Sequence, residues 1–200
     1  MNQLSNTNIY TMSLQNPEQV ILDTIRFIDS VKGSEITLKA NGGNSILIVC
    51  EPRLEDQFIK YIRTYMTDDS YRIINLNDLL FRFVDENKDT LPELFELLQS
   101  SVEQIFKLPE QETGSDLFRI ILQEIESSYK SNKIPVLIHA GALYGSGIEN
   151  IHIMENDLVM KSNIPLIVLY PSTSDGDNLL FLSKRHASKY RCHIVNDFNS

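Results

Sequence analysis

Two apolar runs, each delivered into a polar tract rich in Gly and hydroxyl groups, constrain the fold of this chain more than any other feature. Ile164 to Phe181 reads IPLIVLYPSTSDGDNLLF: a run with the character of a buried strand, a polar turn, then a new amphipathic segment. Pro135 to Gly147, PVLIHAGALYGSG, has the same layout earlier in the chain. A continuous apolar run has no polar face, so both sides of such a strand must be covered, the condition of a strand inside a parallel sheet. Two strands of this kind deliver their polar tracts to one edge of the sheet, where ligands of open α/β sheets bind.

The remaining pattern alternates between strand and helix. Ser45 to Cys50 (SILIVC), Tyr71 to Leu76 (YRIINL), Ile134 to His139, Ile164 to Tyr170 and Arg191 to Val195 predict five strands. Asn16 supplies a helix cap and Pro17 a first turn for Val20, Thr24, Phe27, Ile28 and Val31, with Gly33 as the stop. Further apolar stripes predict helices over Leu54, Phe58, Tyr61, Ile62 and Tyr65, and from Asp78 to Asp85. A third runs from Pro92 through Leu94, Phe95, Leu98, Val102 and Ile105; a fourth, capped by Ser115, carries Phe118, Leu122, Ile125 and Tyr129. A last stretch lies around Ile151, Met154 and Leu158.

Strands alternating with helices require right-handed crossovers that lay helices on both faces of a parallel sheet. The prediction is a three-layer α/β domain over 16–200 with a mostly parallel five-stranded sheet, strands and helices in RecA/P-loop-NTPase-like order, and a helical insertion at about 77–130. Residues 1–15, rich in Asn, Ser, Thr and Gln, are expected to form a flexible leader.

Charge narrows the partners. Lys and Arg number 18 against 27 Asp and Glu, and a net charge of −9 repels phosphates and anionic membrane surfaces, so no direct nucleic-acid or membrane partner is expected. Neither a secretory leader nor an apolar run of membrane-spanning length is visible, which predicts a cytoplasmic protein. Cys50 and Cys192 offer neither a disulfide framework nor metal-ligand spacing; each sits in a strand-like run and is expected to be a buried, reduced thiol.

A P-loop follows its first strand with G-x-x-x-x-G-K-[ST], because Gly-rich backbone must wrap phosphates and Lys must neutralise them. Here the first strand leads into Cys50-Glu51-Pro52-Arg53-Leu54-Glu55-Asp56, with no Gly, three acids where phosphate would sit, and a Pro that removes an amide donor. The third strand ends in Ile138-His139-Ala140-Gly141, without the acid that would position magnesium. No cofactor and no ordinary ATP hydrolysis are expected.

The strand carboxyl ends nevertheless present His139, Gly141, Tyr144, Ser172, Thr173, Asp175, Gly176 and Asp177, a candidate edge for a partner or ligand. The same residues suit plain structural roles: Gly141, Gly145, Gly147 and Gly176 permit tight turns, Asp177 caps a following helix, and Ser172 and Thr173 satisfy loose backbone groups. His139 suits a general base, or a hydrogen bond to a neighbouring loop. Lys184, Arg185, His186, Lys189 and Arg191 form the one basic cluster, which would complement the dipole of a helix begun by Asp175 and Asp177.

HAGALYG, from His139 to Gly145, and LYPSTSDGDNLLF, from Leu169 to Phe181, resemble elements of the BrxB family of bacterial BREX phage-defence islands. That family usually has Gly after the Pro and an aromatic before Asp-Gly where this chain has Ser172 and Ser174, so the resemblance is to a divergent member. It implies a small cytoplasmic component encoded beside a large ATPase, an adenine methyltransferase and an alkaline-phosphatase-like protein, with no catalytic residues to carry over. The expectation is a non-enzymatic assembly or adaptor subunit that binds other defence proteins. The alternative is a small-molecule-binding or hydrolytic α/β enzyme using His139, Asp175 and Asp177.

Overall fold

Six consecutive buried residues, Ser45–Cys50, form strand β1 in the interior of the sheet. Ile46, Leu47, Ile48 and Val49 are wholly inaccessible to solvent, as an apolar strand with no polar face must be. The computed structural model describes residues 16–31, 36, 39–109, 111–175, 178–186 and 191–195. The expected leader lies outside them, as do Gly33, Gly176, Asp177 and Lys189.

β1 pairs in parallel with β4 (Leu166–Asp175) on one side and β7 (His193–Val195) on the other. β3 (Ile134–Ile138) lies beyond β4 and β2 (Tyr71–Asn75) beyond β3, giving the order β2-β3-β4-β1-β7. Helices α1 (Pro17–Ser30) and α2 (Glu55–Tyr65) cover one face, where Val20, Ile21, Phe58 and Ile62 meet Ile46, Ile48, Val136 and Ile167. The opposite face carries α3 (Leu76–Glu86), α4 (Leu91–Leu97), α5 (Glu103–Phe106), α6 (Leu117–Lys130), α7 (Asn150–Met154) and α8 (Asp157–Met160). This is the expected three-layer α/β architecture, and the Asn16 side chain caps α1 from the Gln19 amide as its sequence suggests.

Several expected elements are corrected. The helix begun at Pro92 breaks after Leu97, because Ser100 and Ser101 are weaker helix formers and Ser101 closes a turn onto Leu98; Phe95, placed in the buried stripe, is 42% exposed. Asp116, not Ser115, caps α6: its buried carboxylate accepts from Arg119 N at 2.6 Å and from Leu108 N at 2.7 Å, one bond to each oxygen. Asn156 interrupts the last helical stretch by capping α8 through the Leu158 amide.

The largest correction follows Tyr170. β4 does not end in a turn but runs on to Asp175, pairing antiparallel with β5 (Asn178–Phe181), which pairs with β6 (Arg185–His186). Among the described residues no helix follows: Asn178–Phe181 is a strand where the sequence suggests the helix that Asp177 would cap and whose dipole the basic cluster would complement. Leu180 and Phe181 take strand positions, and the Phe181 ring stacks on Tyr170 at 4.8 Å, which gives this ribbon its anchor in the core. Arg191 instead forms a two-pronged ion pair with Glu155.

Two residues seat β1. Buried Asn44 donates from Nδ2 to Val159 O at 3.0 Å, Ser162 O at 2.8 Å and Ile164 O at 3.0 Å, tying the start of β1 to the turn that feeds β4. A Cβ on Gly43 would lie 1.7 Å from Arg191 O, so only glycine lets the segment before β7 pass. Losing the Asn44 amide removes these bonds from a buried position, so Asn44→Ala should cost about 2–3 kcal/mol in urea unfolding, with the slope unchanged.

Candidate functional site

The carboxyl ends of β1 and β3 are closed by short 3₁₀ turns. After β1, Glu51 is almost wholly buried and its carboxylate accepts from Arg53 Nε at 2.6 Å; Pro52–Leu54 then forms a single turn that leads into α2. After β3, His139 adopts a left-handed conformation (φ 58°, ψ 45°), uncommon for a residue with a side chain, and opens the turn Ala140–Leu143.

These two ends meet through Glu55, the first residue of α2. Its Oε1 lies 3.9 Å from His139 Nδ1, beyond hydrogen-bond reach, and is buried with no partner. Burial pushes the Glu55 carboxyl above its ordinary range, and the nearby His139 opposes that rise without cancelling it. Cys50 lies at the same end of β1. Its thiol is pushed up by burial and, secondarily, by Glu55, while burial and then Glu155 push Cys192 up to about 12. Both cysteines are free and buried, as expected.

The other sequence-selected residues divide into two groups. Gly141 sits against the turn after β5, where an added Cβ would touch Leu182 Cδ2 at 3.5 Å; this is ordinary contact, and Gly141 is not in the left-handed region, so its glycine is not demanded by the turn. Gly145 and Gly147 are left-handed, at φ 85° and 74°. Between Gly141 and Gly147, Tyr144 is 58% exposed. Thr173 Oγ1 and Ser183 Oγ bond at 3.2 Å across the ribbon. Ser172 is wholly buried with its Oγ unpartnered, and Asp175 pairs with Asn178 at the end of the ladder. Gly176 and Asp177 lie outside the described residues.

The contact between Gly141 and Leu182 thus brings the third-strand tract beside the β4–β5 ribbon, while the carboxylate that meets His139 is Glu55. Glu55 was visible in the sequence only as one of three acids after the central strand; the left-handed His139 that approaches it has no sequence signature. Among the described residues, no three His, Cys, Asp or Glu side chains group to hold a metal ion, and no helix is long and apolar enough to cross a membrane.

Comparison with family models, with curated proteins and with solved structures finds no match for this chain.

The thiols and Glu55 give two tests. Because the thiolate is the reactive form, an alkylating reagent should modify Cys50 and Cys192 slowly in native protein and rapidly in denaturant, read by mass spectrometry. For Glu55 the folded state raises the carboxyl above its unfolded value near 4.3, so the stability linked to this group is complete below that value and is lost as pH rises through the folded one. Glu55→Gln should therefore melt with the parent at about pH 4 and above it at about pH 8.

Proposed function

We propose that this chain is a non-enzymatic assembly subunit of a bacterial BREX-type antiviral defence system, binding its partner proteins through the strand carboxyl edge. The observation that carries this reading is the inverted chemistry of that edge. Where an NTPase with this order of elements receives phosphate, this chain sets Glu51, Pro52 and Glu55, whose Oε1 has no hydrogen-bond partner, while Tyr144 stands open to solvent nearby on the loop after β3. Carboxylates repel a phosphate, whereas an exposed tyrosine is a residue type enriched at protein interfaces.

The defence setting draws its support from the HAGALYG and LYPSTSDGDNLLF elements, and the partners it implies are the ATPase, the methyltransferase and the phosphatase-like protein of such an island, in the cytoplasm. A second reading, a small-molecule site, is favoured by one observation: the unpartnered oxygen of Glu55 beside His139 leaves an acceptor to be satisfied.

Tyr144→Ala separates the two. The residue is exposed, so its loss should move the melting temperature little, within about 0.5 kcal/mol of parent stability, while weakening co-purification with tagged island proteins expressed together. Unchanged co-purification would move the interface away from this edge.

A further inference from the structure

The turn that leads into β1 carries the one asparagine of the chain that is followed by glycine, Asn41-Gly42. It closes through the Gly43 amide, which donates to Ala40 O at 2.9 Å. Asn41 and Gly42 take its two central positions with φ of 52° and 86°, the positive pair of a type I′ turn, for which Asn-Gly is the favoured dipeptide. Both residues are exposed, and a Cβ added to Gly42 would meet nothing within 4 Å. The Gly42 nitrogen is not the donor that closes the turn, and glycine sets no side chain between that nitrogen and the Asn41 carboxamide.

We propose that Asn41 is a site of spontaneous deamidation and isoaspartate formation. A carboxamide carbon and the backbone nitrogen of the next residue belong to one short segment, so the attack is unimolecular. The Gly42 nitrogen gives its proton to hydroxide and attacks Asn41 Cγ; the bond from Cγ to Nδ2 breaks, ammonia leaves and a succinimide ring closes. Water then opens the ring. Opening at Cγ gives aspartate, and opening at the backbone carbonyl gives isoaspartate, in which the main chain runs through Cβ. The other asparagines of the fold lack this combination. Asn44 is buried with its Nδ2 bonded to three carbonyls, and Asn132, which shares the positive φ at 54°, is followed by Lys133, whose side chain crowds the attacking nitrogen.

The reaction acts on the seat of the central strand. Isoaspartate lengthens the main chain by one methylene inside the turn, directly before Gly43, which has no room beside Arg191 O, and Asn44, which ties β1 to the turn feeding β4. It also adds a carboxylate to a chain whose net charge is already −9. The turn lies at the start of β1, so the inference stands whether or not the strand carboxyl edge binds anything.

The full chain is held warm at mildly alkaline pH for several days, digested, and mapped by mass spectrometry. The peptide containing Asn41 should gain one dalton before any other asparagine peptide does, at a rate rising in proportion to hydroxide. It should also accept a methyl group from S-adenosylmethionine through an isoaspartyl methyltransferase, the probe for the β-linked product. Asn41→Gly tolerates the positive φ and should fold as the parent does, without methyl acceptance in this turn. Modified protein separated by ion exchange should melt about 2–4 °C below the parent. The site is overturned if the folded chain keeps its mass at Asn41 while a free peptide of the same sequence deamidates, since the turn then protects the residue. It is also overturned if another asparagine reacts first, or if Asn41→Gly accepts methyl groups as the parent does. A modified chain that melts with the parent overturns the link to the seat of β1.

Discussion

A strand that is apolar on both faces must find hydrogen-bond partners along both edges and apolar cover above and below, and β1 meets all four demands at once. β4 and β7 satisfy its edges, α1 and α2 cover one face, and Leu47 and Val49 face the larger helical layer. The devices that seat it are polar or absent side chains: the Asn44 amide bonded to three carbonyls, and Gly43 where a Cβ would collide with Arg191. The positions of the neighbouring parallel strands follow, because β4 is held against the whole of β1 from Leu166 to Pro171, and β3 and β2 are placed only through β4.

The carboxyl edge that results differs in its electrostatics from the nucleotide-binding edge its layout suggests. Glu51 is neutralised within the chain by Arg53, whereas the buried Oε1 of Glu55 faces the His139 ring at a distance too long for a hydrogen bond. An unpaired buried acceptor is a cost to the fold, and sites that carry such a cost are enriched in function. Around this edge the exposed surface is aromatic at Tyr144 and, on the neighbouring α3, at Phe81.

What could be read in the sequence depended on how local the cause was. SILIVC specifies β1 to the residue, because five apolar positions in a row behind Ser45 fit a buried strand inside an α/β sheet. The Asn16–Pro17 start of α1 is equally local. The ribbon after Tyr170 was misread because its strand character depends on Phe181 stacking on Tyr170, a contact made only when the chain folds back on itself. Asp116 was passed over for Ser115 because its second bond comes from Leu108, across a loop whose course the sequence does not reveal. The meeting of Glu55 with His139 joins two segments far apart in the chain and depends on one left-handed backbone turn.

The pairing of β1 also governs how the protein can be made. Ser45 meets Leu166 and Ile46 meets His193, so the central strand leaves the ribosome long before either of the strands that flank it. At a translation rate of about 5–20 residues per second, its hydrophobic edge waits on the order of ten seconds for a first partner. During that interval SILIVC is a short, uncharged, β-prone segment of the kind that pairs with other chains. Shelter of the nascent chain, by a chaperone or by early collapse of α1 and α2 over one face of β1, is therefore built into the topology as a requirement of biogenesis.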